Sequence, residues 1–383
     1  MTPGSSHPFS RSPAAGRRRF LQRTGTGLMG SAALLALAAC GKESAAPAAP
    51  AAAPASSGTA GAPATQPKLT IAIIGDGRTG VFASLRAAEG EQGLEQRLGS
   101  TVVWQPGFTA SLPVMEGIQA GGVDFSFATA TAVVNAVAAG VPIVPLAAYP
   151  LPANEVDVLV RADSPIRGAA DLKGKKVAHQ NGTTGTYSLI KYLESAGLRL
   201  TDVEAVSLSG ADAYTAFAQG SVDAWIHWQP ASGLALAKLG DRARVLPDVK
   251  TYDYAFYVAR AAFVEQHPQV AAKLVRLIRD AQRQIVARPD DAVATWARLG
   301  GFEAGSLEQR VYRQLIVDAR LSDSGATTLR PVDAAAADGT QDLADNFQSL
   351  GVLPRKVDVR SFLLDPRFDA IRKTVAGELE ATA

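Results

Sequence analysis

Thiols are nearly absent from this sequence: one residue of 383 is a cysteine, Cys40. No intramolecular disulfide can form, so stability has to come from burial of apolar surface. Histidine is scarce as well. His179, His227 and His267 are scattered and lack Cys or acidic neighbours at the spacings zinc sites use, so no metal is expected. Excess positive charge is missing too, because five of the 38 Lys and Arg residues precede Cys40, leaving 33 bases against 36 acids. A mildly acidic globule offers no electrostatic footprint for nucleic acid. Long apolar runs are also lacking: Gly25 to Ala39 is too short and too rich in Gly and Ala to stay in a bilayer as a spanning helix.

What the N-terminus does hold is an address. Arg17-Arg18-Arg19-Phe20-Leu21-Gln22 is a twin-arginine start, and Leu37-Ala38-Ala39-Cys40 closes the apolar stretch, so residues 1–39 read as a removable signal peptide. The segment resembles those of bacterial lipoproteins. That implies cleavage before Cys40 and a lipid on its thiol, tethering the protein to a membrane on the periplasmic side. Residues 40–67 continue as a tether of Ala, Pro, Ser, Gly and Thr with nothing to bury. Such a chain has an r.m.s. reach of roughly 28 Å. The remaining residues are long enough to favour two lobes over one.

Folding is expected to start at Lys68, where Leu69 to Ile74 reads as a buried strand and Gly75 to Gly80 as the turn after it. A strand from Thr101 to Trp104, a loop from Pro106 to Ser111 and a helix from Leu112 to Ala120 follow, then a strand from Val123 to Ala128. A helix over Thr131 to Ala139 ends at Gly140, and strands Val141 to Leu146 and Val156 to Val160 come next. A second series then replays the first. Its strand ends at Val177-Ala178, its turn is Asn181 to Thr186, and its helix runs from Tyr187 to Ala196. Gly121-Gly122-Val123-Asp124 closes a helix and opens a strand, and Gly220-Ser221-Val222-Asp223 does so again 99 positions later. After Tyr254 to Ala259 the chain turns helical over Gln269 to Ala287, Asp290 to Leu299, Ser306 to Ala319 and Thr340 to Leu350. Return of this part to the first lobe makes two crossings, near 157–165 and 250–260, which is hinge construction.

In α/β sheets a ligand sits outside the carboxyl ends of the strands, where helix N-termini leave unpaired N–H groups. Three turns qualify: Gly75 to Gly80, Ala128 to Thr131, and Gly182 to Thr186. Each sets hydroxyls or glycine backbone at a strand-to-helix turn, which suits a small oxyanion such as a sulfonate. Thr131, Thr183 and Thr184 serve equally well as ordinary helix caps. Tryptophan supplies a second constellation, since Trp225 and Trp228 lie at one strand end, where indoles wall a cleft. Trp228 and Gln229 are expected at the ligand and Trp225 in the core, with Tyr187, Tyr254 and Phe108 completing the wall. Arg78 is a bidentate donor for a sulfonate if it faces the cleft and idle if it faces solvent. Gly75, Gly77 and Gly80 match the spacing of a dinucleotide fingerprint, but the acid expected downstream falls at Glu91 or Glu95, within a helix. No nucleotide cofactor is expected.

These residues resemble the solute-binding proteins of bacterial ABC importers for aliphatic sulfonates, with taurine, nitrate and thiamine-precursor binders as relatives. The likeness runs from about Lys68 to about Arg288. It rests on Asp171-Leu172-Lys173-Gly174-Lys175-Lys176-Val177-Ala178, on Gly220-Ser221-Val222-Asp223-Ala224-Trp225, on Met115-Glu116-Gly117 ahead of Gly122-Val123-Asp124-Phe125, and on Ala255-Phe256-Tyr257. The resemblance implies an α/β, type II periplasmic-binding-protein fold, two α/β lobes joined by a two-crossing hinge. Lobe I takes residues 68–157 with 255–383, and lobe II takes 158–254. It implies a monomeric, non-enzymatic protein without cofactor, closing over a small organic anion, an aliphatic or aromatic sulfonate first. The cargo goes to a permease and its ATPase. Carried over, the contacts fall at Asp76, Arg78 and Thr79, at Phe108 and Ser111, at Thr129 and Thr131, at Gly182, Thr183 and Thr184, at Trp228 and Gln229, and at Tyr254. Where relatives show Trp-Asp-Pro-Tyr this chain has Trp228-Gln229-Pro230-Ala231, losing a carboxylate for an ammonium group, which disfavours taurine and other amines. Two alternatives stand beside this reading: an enzyme of the thiamine-pyrimidine-synthesis-like class on the same fold, and a ligand-sensing lipoprotein.

Overall fold

Leu69 to Ile73 is buried on both faces, and a strand of that kind needs helices above and below it. The computed structural model describes residues 66–322 and 329–381; the leader, Cys40 and nearly all of the tether lie outside the described residues. The elements alternate. Lys68–Ile74 (β1), Gly80–Leu98 (α1), Thr101–Phe108 (β2), Ser111–Gln119 (α2), Phe125–Thr129 (β3), Ala130–Ala139 (α3) and Ile143–Pro150 (β4) form the first series. Val156–Arg161 (β5), Lys176–His179 (β6), Thr184–Glu194 (α4), Glu204–Ser207 (β7), Gly210–Ala218 (α5), Ala224–Trp228 (β8), Ala231–Leu239 (α6) and Ala243–Val245 (β9) form the second. Tyr254–Arg260 (β10) leads into helices Ala261–Gln266 (α7), Pro268–Ala287 (α8), Pro289–Gly300 (α9) and Leu307–Val317 (α10). Arg330–Pro331 (β11), Ala334–Ser349 (α11), Val359–Leu363 (α12) and Asp369–Glu380 (α13) complete the described chain.

Two sheets result, ordered β11-β4-β10-β3-β1-β2 and β7-β6-β8-β5-β9. Within each, parallel strands are joined by an antiparallel newcomer: β10 lies between β3 and β4, and β5 between β8 and β9. Each newcomer is the strand the chain makes on arriving from the other sheet. Apolar clusters cover both faces of both sheets, so the molecule is two α/β lobes with two cores apiece. The crossings lie side by side, with Thr251 N–H on Ala153 O at 2.8 Å and Leu151 N–H on Asp253 O at 3.0 Å.

Several expectations shift. The first crossing is residues 151–155 rather than 157–165, because Val156 to Val160 is already paired with β8 in the second sheet. The second ends at residue 253 rather than running to 260, because Tyr254 to Arg260 is paired with β4 in the first. Residues 156 and 157 therefore go with lobe II and residue 254 with lobe I, against the expected bounds. Residues 106–108 belong to β2, not to a loop; β2 is an edge strand, where the missing N–H of Pro106 breaks no ladder bond. Helix α4 starts at Thr184, three residues before Tyr187.

The four-residue echo is one local structure built twice. Gly121 and Gly220 both adopt left-handed φ, 76° and 75°. Each ends its helix in a Schellman motif: Gly121 N–H bonds Ile118 O and Gly122 N–H bonds Gly117 O, as Gly220 does Phe217 O and Ser221 does Ala216 O. The aspartate then clasps a parallel strand of its own sheet, β1 in one lobe and β6 in the other. Asp124 Oδ2 accepts Thr70 N–H at 2.9 Å while its own N–H bonds Thr70 O, and Asp223 repeats both bonds on Lys176.

Candidate ligand-binding site

Because the sheets face each other with their strand ends inward, the first turns of α1, α2, α3 and α4 converge. A cavity of about 170 Å³ lies there, lined by Thr79 and Gly80 of α1, Ser111 and Leu112 of α2, Thr129 and Thr131 of α3, and Gly182 to Thr184 of α4, with Trp228, Gln229 and Pro230 across from them. At none of these four helices does the N-cap side chain accept a backbone N–H of its own helix. Side-chain caps do occur at α5, α10, α11 and α12, from Ser209, Ser306, Asp333 and Asp358, whereas α6, α7, α8, α9 and α13 also lack them, so what sets the four apart is that their bare ends meet at one cavity. Withholding a cap leaves N–H groups and the positive end of the helix dipole for something else to meet.

The threonines are not ordinary caps. Thr183 Oγ1 donates to Gln180 O at 2.6 Å, Thr184 Oγ1 donates to Asp253 Oδ2 at 2.6 Å, and the Thr129 and Thr131 hydroxyls bond each other at 2.6 Å. Ser111 Oγ accepts the Thr129 N–H at 3.3 Å, tying α2 to α3. Alternation along β8 sends Trp225 into the core at 1% exposure, while Trp228 lines the cavity and stacks on His227. Burial pushes the His227 imidazole down to about 4, so it stays uncharged at neutral pH. Gln229 is held at both ends: Nε2 donates to Asp157 Oδ2 at 2.6 Å and Oε1 accepts Gly233 N–H at 3.0 Å. Arg320 in turn holds Asp157 at 2.6 Å.

Five expected contacts, Asp76, Arg78, Phe108, Tyr187 and Tyr254, fall elsewhere. Arg78 is 59% exposed and faces Asp76, itself 66% exposed, with 4.0 Å between Nε and Oδ2. Phe108 packs with the core beneath α2, and Tyr254 lies against Gly339 in a separate groove. Tyr187 is also withdrawn, with its ring edge-on to Phe347 and its hydroxyl accepting from Asn346. Among the described lining residues no Lys, Arg or His appears, and Glu155 is the one titratable group. Sequence reasoning missed Glu155, Phe82, Phe127 and Ser322, as well as Asp253 behind the wall. Only the acids beside β5 carried a signal: Glu155 stands just ahead of the apolar strand and Asp157 interrupts it, and nothing in an extended strand needs a carboxylate there.

Known proteins share this architecture. Residues 105–292 match the family described as NMT1/THI5 like. An aliphatic sulfonates-binding protein of Escherichia coli (strain K12) is 30% identical over 281 residues, 73% of this chain and 84% of that protein. The crystal structure of the periplasmic aliphatic sulphonate binding protein SsuA from Escherichia coli superposes with a TM-score of 0.65 at 30% identity, over 77% of this chain and 96% of that one. The alkanesulfonate-binding protein SsuA from Xanthomonas axonopodis pv. citri, bound to MOPS, gives a TM-score of 0.65 at 26% identity, over 76% and 96%.

Proposed function

The chain belongs to the NMT1/THI5-like family, alongside the aliphatic sulfonate-binding periplasmic proteins, and on that premise we propose that it is the solute-binding component of an ABC importer for a small organic anion, a sulfonate first. One observation carries this reading: α1, α2 and α4, which have no side-chain cap, point their first turns into one cavity whose described walls hold no basic side chain, while the first N–H groups of α3, the fourth helix there, are taken by Asp253. Backbone N–H groups at helix ends hold oxyanions without a counter-charge. The binding residues are Thr79, Ser111, Thr129, Thr131, Gly182, Thr183, Thr184, Trp228 and Gln229. The indole supplies the apolar wall for the organic part of the solute.

Closure is the mechanism. A guest that touches helices of both lobes stabilises the closed form by the difference of its affinities for the two forms, and by nothing else. Lobe I comprises the elements from β1 to β4 and from β10 onward, and lobe II those from β5 to β9. The protein works as a monomeric carrier and returns its guest chemically unchanged to a permease and ATPase. Residues 1–39 direct twin-arginine export, and lipid on Cys40 with the tether of residues 40–67 keeps it at the periplasmic face of a membrane. Palmitate labelling that persists in Cys40→Ser would refute the anchor.

Thr183→Asp tests the site. Asp is a good N-cap residue but cannot donate to Gln180 O as Thr183 does, so a thermal melt first confirms that the variant is folded; its carboxylate then takes the helix donors and repels the guest. Calorimetric titration is expected to show at least about a hundredfold weaker binding of ethanesulfonate, the magnitude of about 2.7 kcal/mol for a like charge in a shielded site. Unchanged affinity would place the anion elsewhere.

A further inference from the structure

The second crossing delivers Asp253 behind the cavity wall, where it is 3% exposed. Its Oδ1 accepts the N–H groups of Ala130 at 3.1 Å and Tyr254 at 2.8 Å, and its Oδ2 accepts the Thr184 hydroxyl at 2.6 Å. The Thr131 N–H adds another donor. Ala130 and Thr131 open α3, over the first sheet, whereas Thr184 opens α4, over the second. One carboxylate therefore joins the first turns of two cavity-lining helices from opposite lobes. It also fills the donors of α3, leaving the guest to the other helix ends.

Resting on the reading of this cavity as an anion site, we infer that Asp253 is a positioning residue that acts through Thr184 as a proton-linked donor switch for the guest. While Asp253 is ionised it consumes the Thr184 hydroxyl proton. Once a proton binds at Oδ2, that new O–H donates to Thr184 Oγ1, and the threonine turns its own proton toward the cavity its residue lines. One proton is taken up at Asp253 and no heavy-atom bond changes. The charge of the guest favours the neutral carboxyl, so anion binding draws a proton in, and by reciprocity affinity falls as pH rises.

Burial pushes the Asp253 carboxyl up to about 7, against the pull of Thr184 and the backbone donors, which puts the switch at near-neutral pH. An open groove lined by Tyr252, Asp342 and Asp345 reaches Asp253 and gives the proton a route. Other titratable groups face this region from each neighbouring element: Tyr187 and Lys191 on α4, Asp342 and Asp345 on α11, Tyr252 and Tyr254 on the crossing, Glu155 in the cavity wall, and His179 at the end of β6. Burial raises Tyr187 to about 12 and lowers His179.

The test is calorimetric titration of the mature protein with ethanesulfonate from pH 5.5 to 8.5, in sulfonate-free buffers of differing ionisation enthalpy. In the wild type Kd is expected to rise about tenfold across that range, one pKa unit of coupling, with net proton uptake on binding near pH 7.5. Asp253→Asn keeps a carboxamide acceptor for the backbone donors and is expected to give a flat profile without proton uptake, whatever its absolute affinity. A flat wild-type profile without proton uptake overturns the switch, as does an Asn variant that retains the slope. If that variant does not fold, Thr184→Val, which removes the hydroxyl through which Asp253 acts, takes its place, and a pH slope retained in it overturns the switch. Absence of sulfonate binding at every pH overturns the anion site itself, a result distinct from binding that ignores pH.

Discussion

Truncating the two echoed aspartates tests whether the duplicated clasp is stabilising and where its strength comes from. Asp124 is 6% exposed, accepts Thr70 N–H at 2.9 Å, and accepts Arg260 through Nε at 3.0 Å and Nη2 at 2.5 Å. Asp124→Ala therefore strands a backbone N–H and a guanidinium that is only 28% exposed. Breaking a buried ion pair by removing one partner costs about 3 to 5 kcal/mol, and the partial exposure of Arg260 sets the expectation at about 3. Asp223 makes the same backbone bond to Lys176 but pairs with no cation among the described residues, and the site is open to water. Its loss should cost about 1 kcal/mol or less. Urea unfolding at neutral pH reads the difference as a midpoint shift at constant m. Equal shifts for the two variants would refute the argument, because the extra cost at Asp124 is assigned entirely to Arg260.

A Cβ at Gly233 would lie 2.7 Å from Gln229 Oε1, so Gly233→Ala has to displace the carboxamide from its place in the cavity wall. Sulfonate affinity is expected to fall about tenfold in calorimetric titration, with a stability loss of about 1 to 2 kcal/mol in thermal melts. The Asp253 carboxyl, raised from 3.8 to about 7, contributes stability that is present below pH 4 and lost as pH rises through 7. Relative to Asp253→Asn, wild-type unfolding free energy should drop by up to about 4 kcal/mol between pH 4 and pH 8, measured as paired urea midpoints. A constant difference across that range contradicts the raised value.

Much of this arrangement was legible from residue pattern. An apolar run ending in a glycine turn announces β1, and the Gly-x-Val-Asp echo ahead of β3 and β8 marks the helix ends and strand starts that prove structurally equivalent. Trp225 and Trp228 separate by strand alternation alone. What was hidden depends on contacts between distant segments. Arg78 in a glycine turn has no local reason to face in or out; its distance from the cavity follows from how α1 leaves β1. Thr184 reads as a cap, and only the return of the chain at residue 253 shows that its hydroxyl serves a carboxylate 69 positions away. Tyr254 and Phe108 look like cleft aromatics, yet α11 and α2 cover them.

The central claim is that bare helix ends select charge. The direct measurement is calorimetric titration of the mature protein with ethanesulfonate and with its uncharged isostere, ethyl methyl sulfone. Saturable binding of the sulfonate with no detectable heat from the sulfone is the predicted result, and sulfone binding as tight as that of the sulfonate would contradict it.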